Sequence, residues 1–117
     1  MTYLFLLYGD ESADEMPASP EEMEAYMVPW VEYDQMLKDK GHFLAGEALQ
    51  PVATATTVTA LSGTPVWTDG PFAETREQLG GFYLIKCKDL DEAMALATRC
   101  PAVHTGRVEV RPIMDVS

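Results

Sequence analysis

The tetrad Asp69-Gly70-Pro71-Phe72 is the first place where residue types and spacing suggest chemistry. Asp opens Asx-type turns, Gly accepts backbone conformations closed to other residues, and Pro fixes φ, so these residues shape a loop whatever else they do. With Glu74 just beyond, the loop offers Asp69 and Glu74 as carboxylates beside apolar walls expected from Phe72, Trp30 and Tyr83. Desolvation there would raise a carboxyl pKa toward general acid–base use. Gly80-Gly81 would let a ligand approach the backbone. Further along, Arg107, Glu109 and Arg111 alternate with Val108 and Val110, which on a strand sends charges and valines to opposite faces. If the valines meet the core, an arginine held by a carboxylate becomes a fork for a substrate carboxylate or phenolate. A solvated edge or an interface ion pair is the plainer alternative. His104, in the loop before that strand, is a candidate base, with a surface or interface position as its plainer reading, and His42 is a weaker candidate. Cys87 and Cys100 lack CxxC spacing, and there is no HxH, HxxE or Cys cluster, so neither a metal nor a cofactor is expected. The candidate catalytic set is Asp69, Glu74 and His104. The candidate ligand-binding set is Trp30, Gly70, Phe72, Gly81, Tyr83, Glu109 and Arg111.

These residues need elements to hold them. Thr2 to Tyr8 is a short apolar, aromatic run closed by Gly9-Asp10, which predicts a buried strand apolar on both faces. Ser19-Pro20-Glu21-Glu22 is a capping box with Pro at the first helical position. It starts a helix over 20–40, closed at Gly41, with Pro29 expected to kink it. Met23, Tyr26, Met27, Trp30, Val31 and Leu37 recur at helical spacing, and Met16, Met23, Met27, Met36 and Trp30 are expected to pack in a core or dimer interface. His42 to Leu49 reads as a strand, and Thr56 to Leu61 and Pro65 to Thr68 as a hairpin turning at Ser62-Gly63. Phe82 to Lys88 is a strand. Asp89 caps a second helix whose Leu90, Ala93, Met94, Leu96 and Ala97 face one way until Cys100-Pro101, and Arg107 to Ile113 is the last strand.

The order is β-α-β, an inserted hairpin, and β-α-β: an α+β, ferredoxin-like split βαβ in one domain over 1–117. Two helices cover one face of a four-stranded sheet, and the other face also carries apolar residues. Its cheapest cover is the sheet of a second copy, which predicts an obligate homodimer with a dimeric α/β barrel.

The chain has 117 residues, 47% hydrophobic and 23% charged, enough for a core without disulfide or metal. Eight basic against nineteen acidic residues give a net charge of −11, which repels phosphate backbones and anionic leaflets and disfavours nucleic acid and membrane partners. Residues 1–49 hold −9 of that charge and 50–117 hold −2, so an anion site is expected in the second half. Asp10, Glu11, Asp14 and Glu15 read as a solvated acidic loop. Isolated thiols, no basic N-terminal region and no apolar run near membrane-spanning length predict a cytoplasmic protein.

The run from Trp67 through Asp69-Gly70-Pro71-Phe72 and Gly80-Gly81 to Ile85, the strand Gly106 to Pro112 and the segment Leu44 to Leu49 together closely resemble the DGPF-domain proteins of the YCII-related family, over nearly the whole chain. The resemblance implies a dimeric α+β barrel and a bacterial protein. Members include proteins encoded beside extracytoplasmic-function sigma factors, and a relative is a dehydrochlorinase acting on a chlorinated hydroxyquinol. The tetrad carries over directly. The histidine that YCII enzymes place on the first helix does not, because Pro29-Trp30 stands there.

The expected function is binding of a small anionic or aromatic molecule in an inter-sheet cleft of the homodimer, with lyase or isomerase activity by carboxylate acid–base chemistry. The alternative is a non-catalytic regulatory or binding module associated with an extracytoplasmic-function sigma factor.

Overall fold

A computed structural model describes residues 1–13 and 17–117. The N-terminal run forms strand β1 (Thr2–Gly9), with Tyr3, Phe5 and Leu7 buried on one face and Leu4 and Leu6 half-buried on the other. Of the acidic loop that follows, Asp14, Glu15 and neighbouring Met16 lie outside the described residues. The chain continues as α1 (Pro20–Asp39), β2 (Phe43–Ala48), β3 (Thr56–Thr59), β4 (Val66–Asp69), β5 (Gln78–Lys86), α2 (Leu90–Thr98) and β6 (Gly106–Pro112). An antiparallel sheet runs in the order β2-β5-β1-β6, the split-βαβ, ferredoxin-like arrangement, while β3 and β4 pair in a separate two-stranded sheet.

Both helices start as their capping residues require. The Glu22 amide donates to Ser19 Oγ at 3.1 Å, and the Glu92 amide donates to Asp89 Oδ1 at 2.9 Å. Each glutamate also reaches back to the amide before the cap, Glu22 to Ala18 and Glu92 to Lys88. Tyr33 and Leu37 of α1 and Ala93, Leu96 and Ala97 of α2 bury Tyr3, Phe5 and Ile85, and the Tyr33 hydroxyl locks the helices together by donating to the Leu96 carbonyl at 2.9 Å. Val108 and Val110 pack against this core. Arg107, Glu109 and Arg111 pair across the sheet with Tyr8, Leu6 and Leu4, so the charges share the opposite face with Leu4, Leu6, Phe82 and Leu84.

Several expectations need correction. The first half of α1 is not core: Met23, Tyr26, Met27 and Val31 are exposed, and only Trp30 and Met36 of the expected stripe reach the core's edge beside Leu37. The sheet below that half carries Gly9, Gly46, Gly80 and Gly81, so few side chains rise to meet it. The α2 stripe is narrower than its periodicity, with Leu90 and Met94 exposed. Strand β5 begins before Phe82, at Gln78, because a register shift between Leu7 and Tyr8 passes over Gly80 and lets the ladder run on through Leu79 and Gln78.

The hairpin leaves the body as a projection. Its Trp67 is 67% and its Leu61 99% exposed. The radius of gyration is 16.4 Å, against about 13 Å for a compact chain of this length. The accessible surface is 8601 Å², against about 6,300 Å² for a compact monomer of this mass.

Candidate functional site

Between the first half of α1 and the sheet lies a cavity of about 380 Å³. Its sheet side carries Gly9, Gly46, Gly80 and Gly81, and α1 contributes Tyr26, Met27, Trp30, Val31 and Asp34. Glycines leave bare backbone along this side of the space. At Gly46 a Cβ would sit 2.7 Å from Cδ1 of Tyr83, so the phenol ring occupies the room that a side chain would need. That ring is edge-on to Tyr33, with centroids 5.5 Å apart, and to Phe43 at 6.2 Å. Its hydroxyl donates to Asp34 Oδ1 at 2.9 Å.

Burial, and then the bond to Asp34 and its charge, push the Tyr83 phenol far above the ordinary tyrosine range. Tyr83 is therefore a fixed O–H donor rather than a base. On the outer side Lys38 Nζ lies 3.6 Å from Asp34 Oδ2 and 4.9 Å from the Phe43 ring centre. The described cavity lining contains no lysine, arginine or histidine. A carboxylate–phenol pair between flat apolar walls can orient a small ring by its polar group, and a carboxylate so placed can accept a proton.

Of the residues singled out by sequence, the cavity brings together Trp30, Gly81 and Tyr83. His104 lines a wider groove on the other flank of Trp30, together with Arg99. Asp69, Gly70, Phe72 and Glu74 lie apart, on the hairpin and the segment after it. Gly70 has φ +95°, its amide donates to the Ala55 carbonyl at 2.7 Å, and its carbonyl accepts from Thr57 Oγ1 at 2.8 Å, so the tetrad clasps the base of the hairpin. Phe72 is 90% exposed rather than part of a wall with Trp30 and Tyr83, because the hairpin stands off instead of folding back. Glu109 and Arg111 occupy the opposite sheet face, 4.0 Å apart, and Arg111 is 70% exposed. The sequence reading missed Asp34 and Gly46. Asp34 stands four residues after Trp30 on the same helix face, which was the available signal.

Cys87 and Cys100 are buried and free, and burial raises both thiols, Cys100 to about 11. Among the described residues no group of three or more His, Cys, Asp or Glu side chains could hold a metal ion, and no helix is long and apolar enough to cross a membrane.

The family model for the YCII-related domain matches residues 1–117. An uncharacterized protein of Rhizobium meliloti (strain 1021) is 39% identical over 115 residues, covering 97% of this chain and 92% of that protein.

Proposed function

Because the chain belongs to the YCII-related family, we propose that it acts as a homodimer binding a small aromatic molecule in the cavity between α1 and the sheet. The observation that carries this reading is the 2.9 Å hydrogen bond from Tyr83 to Asp34 in a cavity with aromatic walls. A volume of about 380 Å³ suits a ligand of one or two rings. The homodimer is supported by the apolar row Leu4, Leu6, Phe82 and Leu84 on the face opposite the helices. It is supported too by roughly 2,300 Å² of surface beyond the compact expectation, a quantity on the scale that permanent dimers bury. Two free, buried cysteines suit a reducing bacterial cytoplasm.

The test is native mass spectrometry of protein purified without added ligand. A retained small molecule that Trp30→Ala releases is the expected result. Equal retention by Trp30→Ala would move the site elsewhere.

The Tyr83–Asp34 pair also favours a catalytic extension of the same reading, lyase or isomerase chemistry with Asp34 accepting the proton and Tyr83 as donor. Once a substrate is in hand, Asp34→Asn should then lower turnover by roughly 10²- to 10⁴-fold, beyond any loss of affinity. Exposed Trp67 and Phe72 favour a different role, a regulatory module offering the hairpin to an extracytoplasmic-function sigma factor. Under that role hairpin substitutions abolish co-purification of the factor and leave the cavity's ligand in place.

A further inference from the structure

We infer that the molecule held in the cavity is an organic ammonium ion carrying an aromatic or similarly flat apolar group, and not a carboxylate or phosphate; this rests on the cavity being the binding site. Its charged side chain facing the Tyr83 hydroxyl is Asp34, and the described lining supplies no cation to balance an anionic ligand. An anion would lose its hydration and meet a carboxylate, whereas an ammonium meets a partner of opposite sign.

Asp34 retains capacity for that partner. Oδ1 takes one proton from Tyr83 at 2.9 Å, and Oδ2 faces Lys38 at 3.6 Å, longer than a hydrogen bond. Each carboxylate oxygen can accept more than one donor. The Lys38 side chain is half exposed and lies over Phe43, and a pair of that kind is weakly held and readily exchanged. The walls agree with the charge. Trp30 and Tyr26 line the space, and aromatic faces attract a desolvated cation through their quadrupoles. A net charge of −11 draws cations toward the molecule at long range.

The probes are three molecules of similar shape, 2-phenylethylamine, 2-phenylethanol and phenylacetate, titrated at neutral pH. Trp67→Phe serves as the background, so that quenching reports Trp30, the remaining tryptophan. The amine is expected to bind about tenfold more tightly than the alcohol, the scale of a charge-assisted hydrogen bond, with phenylacetate weakest. Asp34→Asn should abolish the amine's advantage and leave the alcohol's affinity unchanged. Phenylacetate matching the amine, or an advantage that survives Asp34→Asn, overturns the ligand class. If the alcohol quenches Trp30 and the amine gains nothing, the class fails while the cavity stands; if none of the three quenches it, both fail. Should Asp34→Asn not fold, Tyr83→Phe replaces it. Removing the competing phenolic donor should tighten the amine by about threefold relative to the alcohol, and an unchanged ratio counts against the inference.

Discussion

Single residues in this protein report their surroundings through titration and backbone geometry. Cys100 is fully buried and its thiol is pushed from 9.0 up to about 11 by desolvation. Above pH 9 the unfolded chain gives up this proton first, the native state binds more protons, and stability falls as pH rises toward 11. Buried Tyr33 and Tyr83, whose phenols are also raised, add losses of the same sign above pH 10. Urea midpoints between pH 8 and 11 should therefore decline, and Cys100→Ala should flatten the first part of the decline. Gly70 makes a different demand. Its φ of +95° is strained for residues with a Cβ, while nothing lies within 4 Å of where that Cβ would stand. Gly70→Val should cost about 1–2 kcal/mol through backbone strain alone, and Gly70→Asn less, as measured by chemical denaturation. The tetrad's sequence made this conformation legible, although its sequence position suggested a place beside Trp30 and Tyr83 that the standing-off hairpin does not give it.

At the scale of elements, what could be read in the sequence is what depends on neighbours along the chain. The capping boxes at Ser19 and Asp89, the turn at Ser62-Gly63 and the alternation of β6 are local, and each appears where its residues place it. The cavity was not legible, because it is made by glycines on three strands that converge only after the sheet forms. Periodicity said that Met23, Tyr26 and Met27 share a face of α1; it could not say that glycines would face that stretch from three strands of the sheet. Gly46 tests this account. Gly46→Ala drives a methyl group into the Tyr83 ring, 2.7 Å away. It should cost about 1–3 kcal/mol by overpacking, shift the near-ultraviolet tyrosine dichroism and weaken any cavity ligand. Unchanged dichroism would mean that the ring is not seated on this glycine.

The whole molecule is a flat body, 47 × 46 × 19 Å, with helices on one face and an apolar row flanked by charges on the other. Sedimentation at micromolar concentration should give roughly twice 12.9 kDa. Leu84→Glu, paired opposite Leu4, should yield monomers, and a wild-type monomer would remove the case for a two-sheet assembly. The hairpin has another kind of significance. Where it departs, β2 and β5 still lie side by side, with the Leu49 amide donating to the Gly80 carbonyl at 2.8 Å. Everything from Pro51 to Glu77 thus leaves and returns through a gap one ladder rung wide. A short turn joining the two strands there would spare the register of the four-stranded sheet. That gives protein engineers a site for grafting foreign loops, at the cost of two ties that join the segment to the body, the Arg107–Glu77 ion pair and the Val52–Glu11 hydrogen bond.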